Sequence, residues 1–309
     1  MKTKLVAIGA ALTVLTLSLS GCGSSSTATG NGTVASKLIF GGPPEFKKRV
    51  DGIPGLKKHY GVQFGQYKVT DTGGPVTVTA LKRGQVDAAD LFTTDPSIKA
   101  NGFVVLADPK SNFAAQNIVP IINKTKATPG VKQILNGLQA KLSTAVLSDL
   151  LGKVQNDKQD PDVVAKAWLS RTGLAASGNS AKGVTLTVGS ANFPENVLLA
   201  DIYAEALRGQ GATIKTKLNI GSREKYYPAL KGGSLDLFPE YTGTILQFID
   251  NSSPATSSAD VYAALTKALP ANLVALDKAA AEDRDAVVVT KQTATKYGLT
   301  SIADLAKKG

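Results

Sequence analysis

Short apolar runs alternate with amphipathic ones along most of this chain, and the alternation is written twice. Lys37-Leu38-Ile39-Phe40 is a brief apolar strand running into the polar loop Gly41-Gly42-Pro43-Pro44-Glu45-Phe46. Val184 to Val188 is another, leading into Gly189-Ser190-Ala191-Asn192-Phe193-Pro194-Glu195. Downstream of each comes a helix end and a further strand. The first is Ala80-Leu81-Lys82-Arg83-Gly84-Gln85-Val86-Asp87, reaching Thr93-Thr94-Asp95. Its counterpart is Ala229-Leu230-Lys231-Gly232-Gly233-Ser234-Leu235-Asp236, reaching Tyr241-Thr242-Gly243-Thr244. Strands alternating with helices predict α/β lobes built on mostly parallel sheets. Polar loops at the carboxyl ends of such strands are where ligands bind, so two facing lobes predict a cleft that closes on a small molecule.

A helical region separates the two halves. Val131, Ile134, Leu135, Leu138, Leu142, Val146, Leu147 and Leu150 fall at helical spacing, with a break expected near Ser143-Thr144. Asp160-Pro161-Asp162 opens a second helix, Asp160 as N-cap and proline at the first helical position, running to about Arg171 with Trp168 as its core anchor. Residues 175–183 are small and polar and read as a flexible linker.

The N-terminus follows a different pattern. Lys2 and Lys4 precede an apolar run from Leu5 to Leu19, then Ser20-Gly21-Cys22 and a Gly/Ser/Thr-rich tail. The apolar run is about 15 residues, short of the ~20 that span a bilayer, and the layout is that of an export signal. Cys22 is the sole cysteine, so it has no internal disulfide partner. Leu19-Ser20-Gly21-Cys22 resembles the lipobox of bacterial lipoproteins, which implies lipidation at Cys22 and anchorage on the outer face of the cytoplasmic membrane. The expected organisation is a signal peptide over 1–22, a leader over 23–36, one lobe (lobe B) from 37–113 with 286–309, and a second (lobe A) over 114–283. The crossings fall near Phe113–Asn117 and Asp283–Ala286.

Apolar residues make up 43% and charged residues 19%, which suits a packed globular protein. The net charge of +11 comes from lysines spread singly, without an arginine cluster or a basic-aromatic stripe. That pattern fits a basic surface beside anionic lipid or cell-wall polymer and argues against nucleic acid as a partner. With one cysteine and one histidine, His59 beside Lys57-Lys58, zinc-type sites and Cys/His nucleophiles are excluded. No P-loop, G-x-S-x-G or H-E-x-x-H spacing occurs. Neither a metal nor another cofactor is expected, and the chain does not read as an enzyme.

Several motifs name a family. Gly42-Pro43-Pro44-Glu45-Phe46, Arg49-Val50-Asp51-Gly52, Asp90-Leu91-Phe92-Thr93-Thr94-Asp95, Gly221-Ser222-Arg223-Glu224 and Pro239-Glu240-Tyr241-Thr242-Gly243-Thr244 carry the likeness. The chain resembles the substrate-binding lipoproteins of ABC importers for osmoprotectants: glycine betaine, choline and related quaternary amines. The resemblance implies a type II periplasmic-binding-protein (Venus flytrap) fold, hinge closure on a solute, a membrane permease as partner and a monomeric state. The halves stand in inverted order relative to that family. They read as a circular permutation with residues 175–183 joining the usual termini; a tandem whose second copy lost its end is the other arrangement that gives this order.

The resemblance also implies site residues. Tyr241 is one wall of an aromatic cage, Thr244 a carboxylate donor, and Arg49 a fork for a ligand carboxylate, with Phe46 and Thr242 in the same motifs. The cage is incomplete: Ala115-Gln116-Asn117 and Arg284-Asp285-Ala286 stand where further tyrosines are expected, and Ala191 replaces a lysine frequent in the first loop. A more polar solute is therefore also expected, held by Gln116, Asn117, Asn192, Thr94 and Asp95. Tyr226 and Tyr227 lie in a helix and suit packing as well as binding. Glu45 and Glu195 sit at helix starts, where a carboxylate favours the dipole whatever the function. The rival readings are a sensor domain or an Asp/Glu-based enzyme on the same scaffold.

Overall fold

The computed structural model describes residues 32–175 and 177–309; the signal peptide, most of the leader and Cys22 lie outside them. The first echo forms β1 (Ile39–Gly42), α1 (Ile53–Tyr60), β2 (Gln66–Val69), α2 (Pro75–Lys82), β3 (Ala88–Phe92), α3 (Pro96–Ala100) and β4 (Val104–Val105). The chain then crosses over as β5 (Ile118–Asn123) and continues through α4 (Pro129–Gln139), α5 (Thr144–Gln155) and α6 (Pro161–Thr172). The second echo forms β6 (Thr185–Gly189), α7 (Pro194–Gly209), β7 (Thr213–Lys217), α8 (Arg223–Lys231), β8 (Leu237–Tyr241), α9 (Thr242–Ile249), α10 (Ser258–Ala268) and β9 (Leu273–Ala275). A return crossing gives β10 (Asp285–Val289), followed by α11 (Lys291–Tyr297).

Among the described residues these strands make two five-stranded mixed sheets of the same design, β2-β1-β3-β10-β4 and β7-β6-β8-β5-β9. In each, the first three strands are parallel and the fourth is the antiparallel crossing strand. The protein is thus a two-lobed α/β protein, each lobe centred on one sheet.

Burial alternates along the strands as a two-faced sheet requires. On β10, Val287 and Val289 pack with Phe40, Leu56 and Leu305, while Ala286 and Val288 pack with Leu81 and Leu91 on the other face. On β5, Ile118 and Ile122 meet the α4–α7 core and Val119 and Ile121 meet Phe238 and Leu265. Along β8 the same alternation sends Tyr241 toward the first of these layers and Phe238 toward the second.

The helices begin where the sequence places caps. Ser143 caps α5 by accepting from Val146 N, and Asp160 caps α6 by accepting from Asp162 N. Trp168 is buried in the large core of the second lobe. Residues 32–34 and 307–309 lie side by side: Gly309 N donates to Gly32 O at 3.1 Å and Val34 N to Lys307 O at 2.9 Å.

Candidate functional site

The two passages between the sheets run together. Asp283 N donates to Gln116 O (3.1 Å), Ile118 N to Ala281 O (3.0 Å), and Asn117 bridges Glu282. The β3–α3 turn joins them from the first lobe: Thr93 N donates to Arg284 O at 2.9 Å and Thr94 Oγ1 to Asp283 Oδ1 at 2.7 Å. The second lobe delivers the turn from β8 into α9 to the same place. Gly243 is required there, because a Cβ would lie 2.7 Å from Ala115 O and 2.9 Å from Gln116 Nε2.

Three polar clusters surround this junction. In the first, Tyr241 Oη donates to Glu195 Oε1 at 2.9 Å, and the Tyr241 ring lies 6.0 Å from that of Phe193. Phe193 remains 39% exposed while Glu195 is 3% exposed. Among the described residues Glu195 Oε2 has no hydrogen-bond partner. Burial holds the Glu195 carboxyl well above the ordinary range, and Asp283 adds to that rise. Burial likewise pushes Asp283 up to about 6, opposed by the Thr94 hydroxyl and helped by Asp285 and Asp95. Burial and the nearby Glu195 and Asp283 charges raise Tyr241, which stays a neutral donor.

The second cluster belongs to the second lobe. Fully buried Glu240 accepts from Arg223 Nε (3.2 Å) and Nη2 (2.9 Å) and from Tyr226 Oη (2.9 Å). Arg223 also donates to Thr244 Oγ1 at 3.0 Å, and Thr244 N donates to Gln116 Oε1 at 2.9 Å. The third cluster lies in the first lobe. Arg49 donates through Nε to Asp51 at 2.5 Å and through Nη2 to Asp285 at 2.7 Å, its guanidinium 5.3 Å from the Phe46 ring. Buried Asp90 on β3 lies beside Asp285, and burial first and the Asp285 charge second hold its carboxyl well above the usual range.

These contacts relocate several of the expected site residues. Phe46 is fully buried in the first lobe's core, stacked on Phe40 at 5.4 Å. Thr242 is buried, with its hydroxyl donating to Ala115 O and accepting from Asn117 N. Asn117 spends its side chain on Ala279 O and Ser258. Asp95 caps α3 by accepting from Ser97 N. Thr242 and Asn117 thus brace the junction, Phe46 belongs to the core and Asp95 to a helix cap. Arg49 is neutralised by two aspartates, so it is not the open fork that a ligand carboxylate needs. Tyr241 and Thr94 meet at the junction; Thr244 and Gln116 join the Arg223 network, and Asn192 is exposed on the loop before α7. Tyr226 stacks on Phe238 at 3.9 Å and Tyr227 meets Phe248 edge-on, so both pack.

Elsewhere, an open groove of about 740 Å³ runs between α3 and α5–α6, past Lys99, Asp149 and Arg171. The exposed Lys99–Asp149 pair spans it at 2.7 Å, and it holds none of the expected residues. Among the described residues no group of acidic, histidine or cysteine side chains is placed to hold a metal. No described helix is long and apolar enough to cross a membrane.

Residues 30–171 and 184–309 match the family model OpuAC, described as the substrate-binding domain of the ABC-type glycine betaine transport system. The chain belongs to this family. Individual relatives match over about half of the chain or less, and over half or less of their own length. The glycine-betaine-binding protein of Pseudomonas aeruginosa is 28% identical over 150 residues, 48% of each chain. Glycine betaine-binding protein YehZ of Escherichia coli is 32% identical over 136 residues, 42% of this chain and 45% of its own. The ergothioneine transport permease/binding protein EgtU of Helicobacter pylori is 32% identical over 137 residues, 44% of this chain and 24% of its own. Among solved structures, apo YehZ of Escherichia coli overlays with a TM-score of 0.37 at 13% identity, over 85% of this chain and 84% of that one.

The junction is acidic. Glu195, Asp283, Asp285 and Asp90 are functional candidates that residue patterns did not single out. Asp90 carried a signal: a lone acid in the buried run Ala88-Ala89-Asp90-Leu91-Phe92. Glu195 sat in an otherwise buried helix face, which a purely dipolar role does not require.

Proposed function

We propose that this chain is the extracytoplasmic solute receptor of an ABC importer. It captures a small osmoprotectant, such as glycine betaine, choline or a related quaternary amine, between its lobes and hands it to a membrane permease. The observation that carries this reading is the meeting of Phe193, Glu195 and Tyr241 from one lobe with Thr94 of the other, beside the crossings. A quaternary ammonium group cannot donate hydrogen bonds and is held by aromatic faces and by negative charge. The Phe193–Tyr241 pair supplies the former and the carboxyls of Glu195 and Asp283 the latter. Bending at the paired crossings opens and closes the site on a solute. Binding and release are the whole mechanism, with no bond made or broken.

Export and anchorage through a lipidated Cys22 complete the proposal, keeping a monomeric receptor near its permease. We further propose that the chain is a circular permutant of its family's order. Support comes from the two family-matched blocks flanking 172–183 and from the contact of residues 32–34 with 307–309, which brings those segments together at the surface. Isothermal titration of the form beginning after Cys22 against glycine betaine, proline betaine, choline, carnitine and ectoine tests the receptor reading. Micromolar binding of a quaternary amine, lost in Tyr241→Ala, supports it; a folded protein that binds none refutes it.

A further inference from the structure

We propose that the junction selects a net monocation, a quaternary amine without a carboxylate such as choline, and that Glu195 and Asp283 are the residues that read its charge. This rests on the receptor reading above and narrows its substrate class.

The geometry leaves an uncompensated acidic pair at the meeting of the lobes. Glu195 Oε1 is occupied by Tyr241, but Oε2 is buried without a partner and faces Thr94 and Asp283. The Thr94 hydroxyl stands between the two acids: it donates to Asp283 Oδ1 at 2.7 Å and eases the Glu195 charge only in part, against the larger effects of burial and Asp283. Among the described residues, the charges that act most strongly on the pair are acidic. Asp283, in the return crossing, faces Glu195; Asp285 at the start of β10 and Asp95 in the β3–α3 turn face Asp283. The neighbouring arginines are committed elsewhere: Arg49 to Asp51 and Asp285, Arg223 to Glu240, and Arg284 to Glu282 and Asp108. A strongly basic protein therefore presents a locally acidic junction, walled by the partly exposed Phe193 ring and Tyr241.

A buried carboxylate beside a second, partly buried one is costly without a cation, so the unliganded pair retains a proton. A fixed positive charge of the ligand takes that proton's place, and binding releases it to solvent. A betaine would bring a third carboxylate to a place whose arginines are already paired. Choline itself does not titrate in this range, so its affinity is expected to rise as pH climbs past the Asp283 value of about 6.

The test is isothermal titration with choline and with glycine betaine at pH 5.5 and 7.5, in two buffers of different ionisation enthalpy. Wild type, Glu195→Gln and Asp283→Asn are compared. At pH 7.5, choline is expected to bind more tightly than glycine betaine and to release protons. Glu195→Gln, which keeps the acceptor for Tyr241, should weaken choline by about tenfold or more and glycine betaine by less, so that the choline-to-betaine preference falls. Asp283→Asn should shift the preference the same way, and it serves should Glu195→Gln not fold by thermal melting. Glycine betaine binding as tightly as choline, proton uptake on binding, or an unchanged choline-to-betaine ratio in both variants overturns the inference while the receptor reading stands. A folded wild type that binds neither amine, nor any other on the panel, defeats the receptor reading itself.

Discussion

Asp283→Asn should stabilise the ligand-free protein at neutral pH. Asp283 is raised from 3.8 to about 6 by burial in the folded state, so between those values the native protein holds a proton that the unfolded chain has lost. Stability therefore falls as pH rises through that window, and the whole penalty is present above it. The difference is worth about 3 kcal/mol at pH 7, shared in part with Glu195, whose charge it opposes. Asparagine keeps the oxygen that accepts the Thr94 hydroxyl and removes the charge. Urea unfolding at pH 7.5 should show a gain of up to about 3 kcal/mol, or roughly 6 °C in a thermal melt. At pH 4 the gain should have largely vanished, because the wild-type acid is then protonated in the fold at little cost. A variant less stable than wild type at pH 7.5, or a gain independent of pH, would show that this carboxyl is not desolvated as described.

Three other outcomes follow from the same contacts. Arg223→Ala strips the cation paired with fully buried Glu240 and should cost about 3–5 kcal/mol by chemical denaturation, with Glu240→Gln in the same chain recovering part of it. Gly243→Ala drives a Cβ to 2.7 Å from Ala115 O and should cost about 1–3 kcal/mol and weaken solute binding, since it pushes α9 off the crossing. A rearranged chain running 184–309 and then 32–174 should fold with the same circular dichroism and comparable solute affinity; failure of a soluble rearranged chain to fold would count against the permuted order.

Much of the architecture is local and so was legible in residue patterns. The doubled strand–loop–helix echo became two sheets of one topology, and the Ser143 and Asp160 caps lie where their side chains are needed. The site was less legible because its chemistry depends on partners far apart in the chain. Arg49 carries a suitable fork, but Asp285, 236 residues away, quenches it. Thr242 and Asn117 stand in or beside matched motifs, yet the Thr242 hydroxyl is spent on the backbone of Ala115 and Asn117, and the Asn117 side chain on Ala279 and Ser258. Glu195 at a helix start is indistinguishable from a dipole partner until Asp283, Thr94 and Tyr241 converge on it.

The central claim is that a quaternary amine is held at the meeting of the two lobes, and a crystal structure of the choline complex tests it most directly. The account predicts the trimethylammonium group within ~6 Å of the Phe193 and Tyr241 rings, with the Glu195 and Asp283 carboxyls turned toward it. Choline seated instead in the groove between α3 and α5–α6, or held by Arg49 in the first lobe alone, would contradict it.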